Sequence, residues 1–157
     1  MRYFILTFSA LLALTLNLSA SSFNYASGFA AISDMASNAL INAMDKVDDR
    51  IYAVGEHGII LYSDDLGENW NQSESVPFTN TLTDIDCISK QECWATGHDA
   101  TILHTNDFGK TWIKQYEDID FDAPLLSIHM FDSGEGVAIG AFALSLRTTD
   151  GGNTWGP

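Results

Sequence analysis

Three aspartates occupy matching positions in the sequence, and carboxylates are among the side chains that perform acid–base chemistry in enzymes. Asp65, Asp107 and Asp150 each lie in a segment of the form Ser/Thr-x-Asp-x-Gly-x-Asn/Thr-Trp. Glycoside hydrolases use a pair of carboxylates that face each other across a sugar. A regular repeat instead distributes equivalent residues over separate structural units, so these three aspartates are not predicted to form one catalytic centre.

Each aspartate is predicted to stabilise its own turn. An Asp carboxylate or a Ser/Thr hydroxyl at a turn accepts hydrogen bonds from nearby backbone N–H groups. The glycine that follows supplies a backbone conformation that other residues resist, and the tryptophan covers the turn with a large apolar face. The predicted structural residues are Ser63, Asp65, Gly67, Trp70, Thr105, Asp107, Gly109, Trp112, Thr148, Asp150, Gly152 and Trp155.

Two cysteines, Cys87 and Cys93, flank a polar turn at 89–92. If the segments on either side are strands, the two thiols lie near each other across a hairpin. In an exported protein such a pair is predicted to form a disulfide, and the alternative is two small buried side chains that never bond. Two thiols in one hairpin lack the further ligands that zinc requires, so no metal site is predicted there.

The histidines and one acidic run offer weaker signals for a metal site. His57 and His98 occupy nearly equivalent loops of neighbouring repeats, which allows a shared metal site as one interpretation. Solvated loop histidines, with His104 and His129 included, are the favoured interpretation. The run at 117–122 is predicted to be a solvated linker, because cation binding needs a cage of converging oxygens. No metal or other cofactor is predicted.

The elements that must position these residues belong to three repeats. The segments GEHGIILYSDDLGENW, GHDATILHTNDFGKTW and GAFALSLRTTDGGNTW begin at Gly55, Gly97 and Gly140 and align without a gap. Each repeat shows four short strand-like runs, with turn residues between them and no helical periodicity. Four strands in roughly 40 to 45 residues predict one blade of a β-propeller, so the chain is predicted to be all-β.

The repeats set the expected domain boundaries at about 38–77, 80–121 and 124–157. The third repeat stops where its fourth strand should begin, so that blade is predicted to be incomplete. A propeller typically has 4 to 8 blades, and three do not complete a ring. We therefore expect a partial propeller within a longer protein. The alternative is a short protein that self-associates through its open blade edges.

Residues 1–22 are predicted to be a secretory signal peptide. Arg2 precedes an apolar run from Phe4 to Leu18, and small residues at 19–22 offer a cleavage site. The run is shorter than the ~20 residues that a transmembrane helix needs, and no later stretch is long enough to span a bilayer. A retained N-terminal anchor is the alternative, and no cysteine follows the run to accept a lipid. The mature chain is then 23–157, exported to the periplasm or the cell exterior.

The chain is strongly acidic, with a formal net charge of −14 at pH 7. This charge makes unaided binding to nucleic acid or to an anionic membrane surface improbable. Solubility is the simplest explanation of the acidity, and a basic or neutral protein partner is the other.

The turn motif resembles the Asp-box, or BNR, repeat of sialidases, sortilin-like receptors and related propellers. With the Ala-Val-Gly and Ala-Thr-Gly triplets that end at Gly55 and Gly97, the longer pattern resembles most the photosystem II stability and assembly factor family of plants and cyanobacteria. The resemblance covers about residues 40–155. It implies a propeller of about seven blades that binds a membrane-protein precursor without doing chemistry, in the thylakoid lumen if the organism is photosynthetic.

Two departures from the known families refine this expectation. Members of the assembly-factor family carry an arginine-rich surface, whereas only Arg50 and Arg147 follow the leader here. Sialidases resemble one another in an arginine triad with a tyrosine and a glutamate, and two arginines do not make three. The predicted function is thus a non-catalytic protein-binding or assembly factor. The alternatives are a glycoside hydrolase and, third, a purely structural adhesion repeat.

Overall fold

The computed structural model describes residues 28–131 and 134–157, which fold into three antiparallel sheets. Blade 1 contains β1 (Ile41–Val47), β2 (Arg50–Gly55), β3 (Ile60–Ser63) and β4 (Asn71–Gln72). Blade 2 contains β5 (Leu82–Cys87), β6 (Cys93–Gly97), β7 (Ile102–Thr105) and β8 (Ile113–Tyr116). Blade 3 contains β9 (Leu125–Met130), β10 (Gly136–Gly140) and β11 (Ser145–Thr148). In each sheet the spatial order follows the chain order, which confirms the prediction of all-β, propeller-type blades.

Short 3-10 turns at Ala36–Asn38, Glu56–Gly58 and Ala141–Ala143 are the helical elements of the described residues. None of them is long and apolar enough to cross a membrane. The predicted leader at 1–22 lies outside the described residues. In blade 3 an antiparallel bridge joins Arg147 to Gly156, at the place where β4 and β8 pair in the other two blades.

A glycine ends the second strand of every blade because another backbone passes directly over it. A Cβ atom on Gly55 would lie 2.0 Å from the carbonyl oxygen of Leu40, and one on Gly97 would lie 2.6 Å from that of Thr81. At these glycines the first and second strands also shift register, as in a β-bulge. The aligned glycines of the sequence therefore mark a close crossing that fixes where each blade begins.

The hydrophobic core lies between the blades. In the first seam, Tyr52 and Ile60 of blade 1 pack against Leu82 and Leu103 of blade 2, and all four are almost fully buried. The second seam repeats this packing between blades 2 and 3, around Trp94. Burying one Leu or Ile side chain contributes about 1.5–3 kcal/mol, so the packing in the seams stabilises the contacts between the blades.

The segment before β1 covers the side of blade 1 that faces away from blade 2. Ala36 is buried against Ala53 and Leu61 in a third apolar cluster. The Gln72 side chain fixes the segment through two hydrogen bonds of 2.8 and 2.9 Å, one to Ala31 O and one from a backbone N–H. Residues 28–39, which match no repeat, thus pack on blade 1. They occupy the side that, in blades 2 and 3, contacts the preceding blade.

The opposite side of blade 3 is open. Ile139 is 53% exposed, whereas the residues at the matching position of blades 1 and 2, Val54 and Thr96, are completely buried. Ser145 is likewise exposed, while its counterparts in β3 and β7 belong to the seams. This face of blade 3 therefore has the position and part of the apolar character of a blade-to-blade contact.

Candidate binding surface at the ends of the blades

The Asp-box turns form one end of the blades, and each turn closes on its own side chains. In blade 2, Thr105 Oγ1 donates a hydrogen bond to Asp107 Oδ1 (2.8 Å) and accepts one from Gly109 N (3.2 Å). The Asp107 carboxylate also accepts hydrogen bonds from Thr111 N (3.0 Å) and Thr111 Oγ1 (2.6 Å). The boxes of blades 1 and 3 repeat this network with distances of 2.6 to 2.9 Å.

These networks hold the three carboxyl groups in their ionised form. Hydrogen bonds from the backbone and side chain of Asn69, and then from Ser63, lower the pKa of Asp65 to about 2. Burial raises the pKa of Asp107, but the hydrogen bonds from its own turn outweigh it, and the net direction is downward. The pKa of Asp150 is also lowered, mainly by the Thr154 hydroxyl. Carboxylates engaged in this way are poor proton donors and act as turn-stabilising acceptors.

The Asp-box tryptophans also connect neighbouring blades. Trp112 Nε1 donates hydrogen bonds to Ser73 Oγ (3.1 Å) and to Gly109 O (3.2 Å), so the box of blade 2 is tied to blade 1. Trp155 Nε1 makes the matching contact with Gln115 Oε1 of blade 2 at 3.4 Å. Ser73 and Gln115 each lie three residues after a box tryptophan, but because they differ in type, an alignment of identical residues does not reveal them.

Cys87 and Cys93 lie directly opposite each other in β5 and β6 and are joined by a disulfide. Cys93 is fully buried in the first seam. The hairpin turn beyond the disulfide contacts blade 1, where Tyr52 Oη donates to Lys90 O (2.5 Å) and Lys90 forms an ion pair with Asp49. The disulfide therefore closes the hairpin whose turn docks on blade 1.

Both arginines of the described residues lie away from the end of the blades that is opposite the Asp-box turns. Arg50 forms a two-pronged ion pair with Asp64 (2.7 Å for both bonds), stacks on the Tyr62 ring (4.7 Å to the centroid) and donates to Phe108 O. The Asp64 carboxylate raises the pKa of Arg50 further. Arg147 lies in β11, where its backbone bonds to Gly156. No arginine-rich surface is present in the described residues.

The opposite end of the blades is built from three loops with one shared backbone conformation. Each loop follows the second strand of its blade. The backbone N–H of the glycine that ends this strand donates a hydrogen bond of 2.8 to 3.1 Å to the carbonyl oxygen of the fourth residue after it. The residues at the loop tips are His57, Asp99 and Phe142, with φ angles of 58°, 56° and 55°. A non-glycine residue in this left-handed region costs of order 1 kcal/mol, and such residues cluster at binding and active sites.

We call this end the crown, defined as the three loops at 56–58, 98–101 and 141–143 together with the connector at 117–124. The same loop scaffold presents an imidazole, a carboxylate and a phenyl ring in turn. Phe142 is 83% exposed. Constant backbone with varied tips is typical of repeat proteins that use one face for binding. The sequence signal was the variation in residue type between the repeats at this position, two residues after each aligned glycine.

The connector at 117–124 joins the crown loops of blades 2 and 3. Near its start, Asp118 N donates a hydrogen bond to Asp99 O (3.0 Å). At its end, Ala141 N donates to Pro124 O, also at 3.0 Å. The loops that carry Asp99 and Phe142 are thus linked through one continuous stretch of backbone.

Clefts open at the crown within the described residues. The first, of about 310 Å³, lies between the linker at 77–80 and blade 2, where Lys114 pairs with Glu117 and lies 5.9 Å from the centroid of the Phe78 ring. Asn80 Nδ2 donates to Asp99 Oδ2 (3.3 Å) in the same cleft. The second cleft, of about 260 Å³, is mostly apolar and lies between the His57 loop and residues 35–39.

The structure distributes the four histidines over different sites. His57 and His98 lie in the crown loops, and His57 Nε2 is 3.9 Å from Glu56 Oε2. The prediction of solvated loop histidines is wrong for His104, which lies in β7, is only 8% exposed and is 3.1 Å from Glu92. His129 lies in β9. Within 28–131 and 134–157, no group of three or more acidic, histidine or cysteine side chains could hold a metal ion.

Comparison with known proteins gives consistent matches. The family model described as "Photosynthesis system II assembly factor YCF48" matches residues 72–157. The photosystem II assembly lipoprotein Ycf48 of Synechococcus sp. (strain CC9902) is 30% identical over 108 residues, which are 66% of this chain and 32% of that protein. The chain therefore spans about a third of the length of this curated relative.

Solved structures show the same fold. YCF48 bound to D1 peptide superposes with a TM-score of 0.64 at 23% identity, over 75% of this chain and 40% of that one. YCF48 from Cyanidioschyzon merolae gives a TM-score of 0.62 at 18% identity, over 75% of this chain and 39% of that one. Both matches confirm the β-propeller architecture.

Proposed function

The chain belongs to the family described as photosynthesis system II assembly factor YCF48, and from that premise we propose that it is an exported, non-catalytic propeller module that binds a segment of a membrane-protein precursor during assembly. A solved relative binds a D1 peptide, which supports a peptide as the kind of ligand. The curated relative is an assembly lipoprotein, which supports a role next to a membrane.

The crown is the observation that carries this proposal. Its loops are held by the same backbone hydrogen bonds in all three blades, while the tip residues His57, Asp99 and Phe142 differ. A rigid surface with varied, accessible side chains can bind a peptide without paying a large ordering cost. The exposure of Phe142 gives that surface an aromatic anchor of the kind enriched at interfaces.

The engagement of the carboxylates supports a non-catalytic role. The Asp-box carboxylates are each bound within their own turn, in three different blades. Asp99 and Glu117 share the first cleft, but Glu117 is paired with Lys114 and Asp99 accepts a hydrogen bond from Asn80. A glycoside hydrolase would need two carboxyl groups free to face a sugar from opposite sides.

Export and the domain boundaries are part of the proposal. The disulfide between Cys87 and Cys93 supports an oxidising compartment, such as the periplasm or the thylakoid lumen. The proposed leader is 1–22 and the proposed mature chain is 23–157, with blades at about 38–77, 80–121 and 124–157. Intact mass of the protein from the exported fraction tests the leader, since a chain that still carries residues 1–22 would contradict cleavage.

Peptide binding and glycoside hydrolysis can be measured on the same preparation. The full chain should bind, saturably, at least one peptide from the exported loops or termini of a photosystem II core protein, as measured by fluorescence anisotropy. It should release no chromophore from aryl glycosides above a mock preparation. If no such peptide binds, the assembly role is refuted. If the wild type hydrolyses an aryl glycoside and a Glu117→Gln variant does not, the enzyme alternative is established.

A further inference from the structure

We propose that the part of the crown between blades 2 and 3 is a docking surface for an extended, cationic peptide segment that also carries apolar side chains. This inference rests on the proposed binding function and specifies its partner. The surface, called here the crown patch, consists of Ile119, Phe121, Phe142, Asp118, Asp120 and Asp122.

The crown patch exposes three large apolar side chains that blade packing does not bury. Ile119 is 67% exposed, Phe121 is 44% exposed and Phe142 is 83% exposed. Exposed apolar residues that gather in one region mark interaction sites in soluble proteins. They give a partner a place to bury its own apolar side chains.

These side chains are carried by ordered backbone. Phe121 N donates a hydrogen bond to Asp118 Oδ1 (3.1 Å), which closes the turn around Ile119. The connector is tied to the Asp99 loop at its start and to the Phe142 loop at its end. A partner would therefore bind a largely preformed surface, and ordering this surface on binding would cost little entropy.

The charge of the crown patch selects the partner. Carboxylates alternate with the apolar side chains along the connector, at Asp118, Asp120 and Asp122. The sequence contains no Lys or Arg from 115 to 146, and Lys114 is already paired with Glu117. A surface with one sign of charge attracts segments of the opposite sign and repels those of the same sign. Because the carboxylates lie between apolar groups, lysine or arginine side chains interleaved with apolar ones fit the patch best.

An anionic partner would need a cationic surface, and the described arginines do not provide one at the crown. Arg50 is engaged at the Asp-box end by Asp64 and by the Phe108 carbonyl. Arg147 lies in β11, outside the crown patch. The charge of the crown is thus opposite to the arginine-rich surface that the family resemblance implies.

Three fluorescein-labelled peptides of equal length test the inference on the full chain. The first alternates Lys with Leu and Tyr, the second replaces every Lys with Glu, and the third keeps Lys but replaces the apolar residues with Ser. We expect the affinity of the first peptide to be at least about tenfold higher than that of either of the others. Its affinity should decrease as salt is raised from low to physiological ionic strength. Equal binding of the first and third peptides would overturn the apolar part of the proposal.

Two variants locate the binding site. Phe142→Asn keeps a residue that tolerates the left-handed conformation, and the double variant Asp120→Asn/Asp122→Asn removes two charges without changing shape. Phe142→Asn should weaken binding of the first peptide about tenfold. The double variant should weaken this binding several-fold and reduce its dependence on salt concentration. The matched controls are Phe131→Ala and Glu68→Gln, at the Asp-box end, which should leave affinity unchanged. Thermal unfolding should be used to check that every variant folds.

The outcomes separate this inference from the proposed function. If the anionic peptide binds more tightly than the cationic one, or if the two control variants weaken binding as much as the crown variants do, the crown patch is not the docking surface. The assembly role would stand in that case, because a peptide still binds. If peptides from the precursor bind and all three synthetic peptides fail, the charge assignment is wrong. If no peptide of either kind binds, the proposed function fails as well.

Discussion

Replacing Trp112 by phenylalanine should weaken the contact between blades 1 and 2 by a calculable amount. Trp112 is 3% exposed in the first seam, and its indole N–H is bonded to Ser73 Oγ and Gly109 O. Loss of the hydrogen bonds costs about 1 kcal/mol. The smaller ring adds about 1–2 kcal/mol from lost burial and an unfilled gap. The free energy of unfolding should therefore decrease by about 2–3 kcal/mol.

Urea unfolding of the full chain, followed by circular dichroism, measures this change. With a urea slope of about 2 kcal/mol/M, the midpoint should move by about 1 M. Ser73→Ala should cost about 1 kcal/mol, and the double variant with Trp112→Phe should reveal a coupling of about 0.5–1 kcal/mol.

The matched control is Trp70→Phe, because Trp70 occupies the same position of blade 1 but is only half-buried, against the segment before β1. It should cost about 1 kcal/mol or less. Equal effects of the two tryptophan substitutions, or a coupling of zero between Trp112 and Ser73, would refute the claim that the box tryptophan fastens one blade to the preceding one.

Three further perturbations probe other parts of the fold. Hydrogen bonds from its own turn lower the pKa of Asp65 to about 2, so its stabilising contribution is present above the ordinary carboxyl pKa of about 4 and is lost as pH falls towards 2. The melting temperature should decrease over that range by more in the wild type than in Asp65→Asn, and parallel pH profiles would contradict this. Reduction of Cys87–Cys93 should lower stability by about 2 kcal/mol on the chain-entropy estimate for a short loop. The double variant Cys87→Ala/Cys93→Ala should not respond to reductant, and an equal response would assign the effect elsewhere. Gly97→Ala should destabilise the chain by about 2 kcal/mol or more, because the added Cβ would lie 2.6 Å from a backbone oxygen. Gly156→Ala, with open space around it, should be nearly neutral by urea unfolding.

Local patterns in the sequence predicted the blades because each pattern has one strong physical cause. The strand expected after the polar turn at 89–92 agrees with β6, and its five consecutive buried residues are typical of a strand packed on both faces. The Asp-box turns were predictable because their hydrogen bonds join residues at most four positions apart. The cysteine pair was predictable for the same reason, as its partners lie across one short hairpin.

Features that depend on contacts between distant residues were not predictable in the same way. Ser73 and Gln115 serve one purpose with different side chains, so identity between repeats conceals them. The burial of His104 is accompanied by packing against Trp94 of the neighbouring strand, which the sequence of its own strand does not specify. The tip residues of the crown differ between repeats, and an alignment that searches for identity passes over the variation that a binding surface needs.

Hydrogen–deuterium exchange of the full chain, with and without a precursor peptide at saturating concentration, tests most directly which end of the blades binds. We expect the peptide to slow exchange in the crown, at 98–101, 117–124 and 141–143. The Asp-box turns at 63–70, 105–112 and 148–155 should exchange at the same rate in both samples. Protection in the Asp-box turns with none in the crown would show that the chain binds its partner with the opposite end.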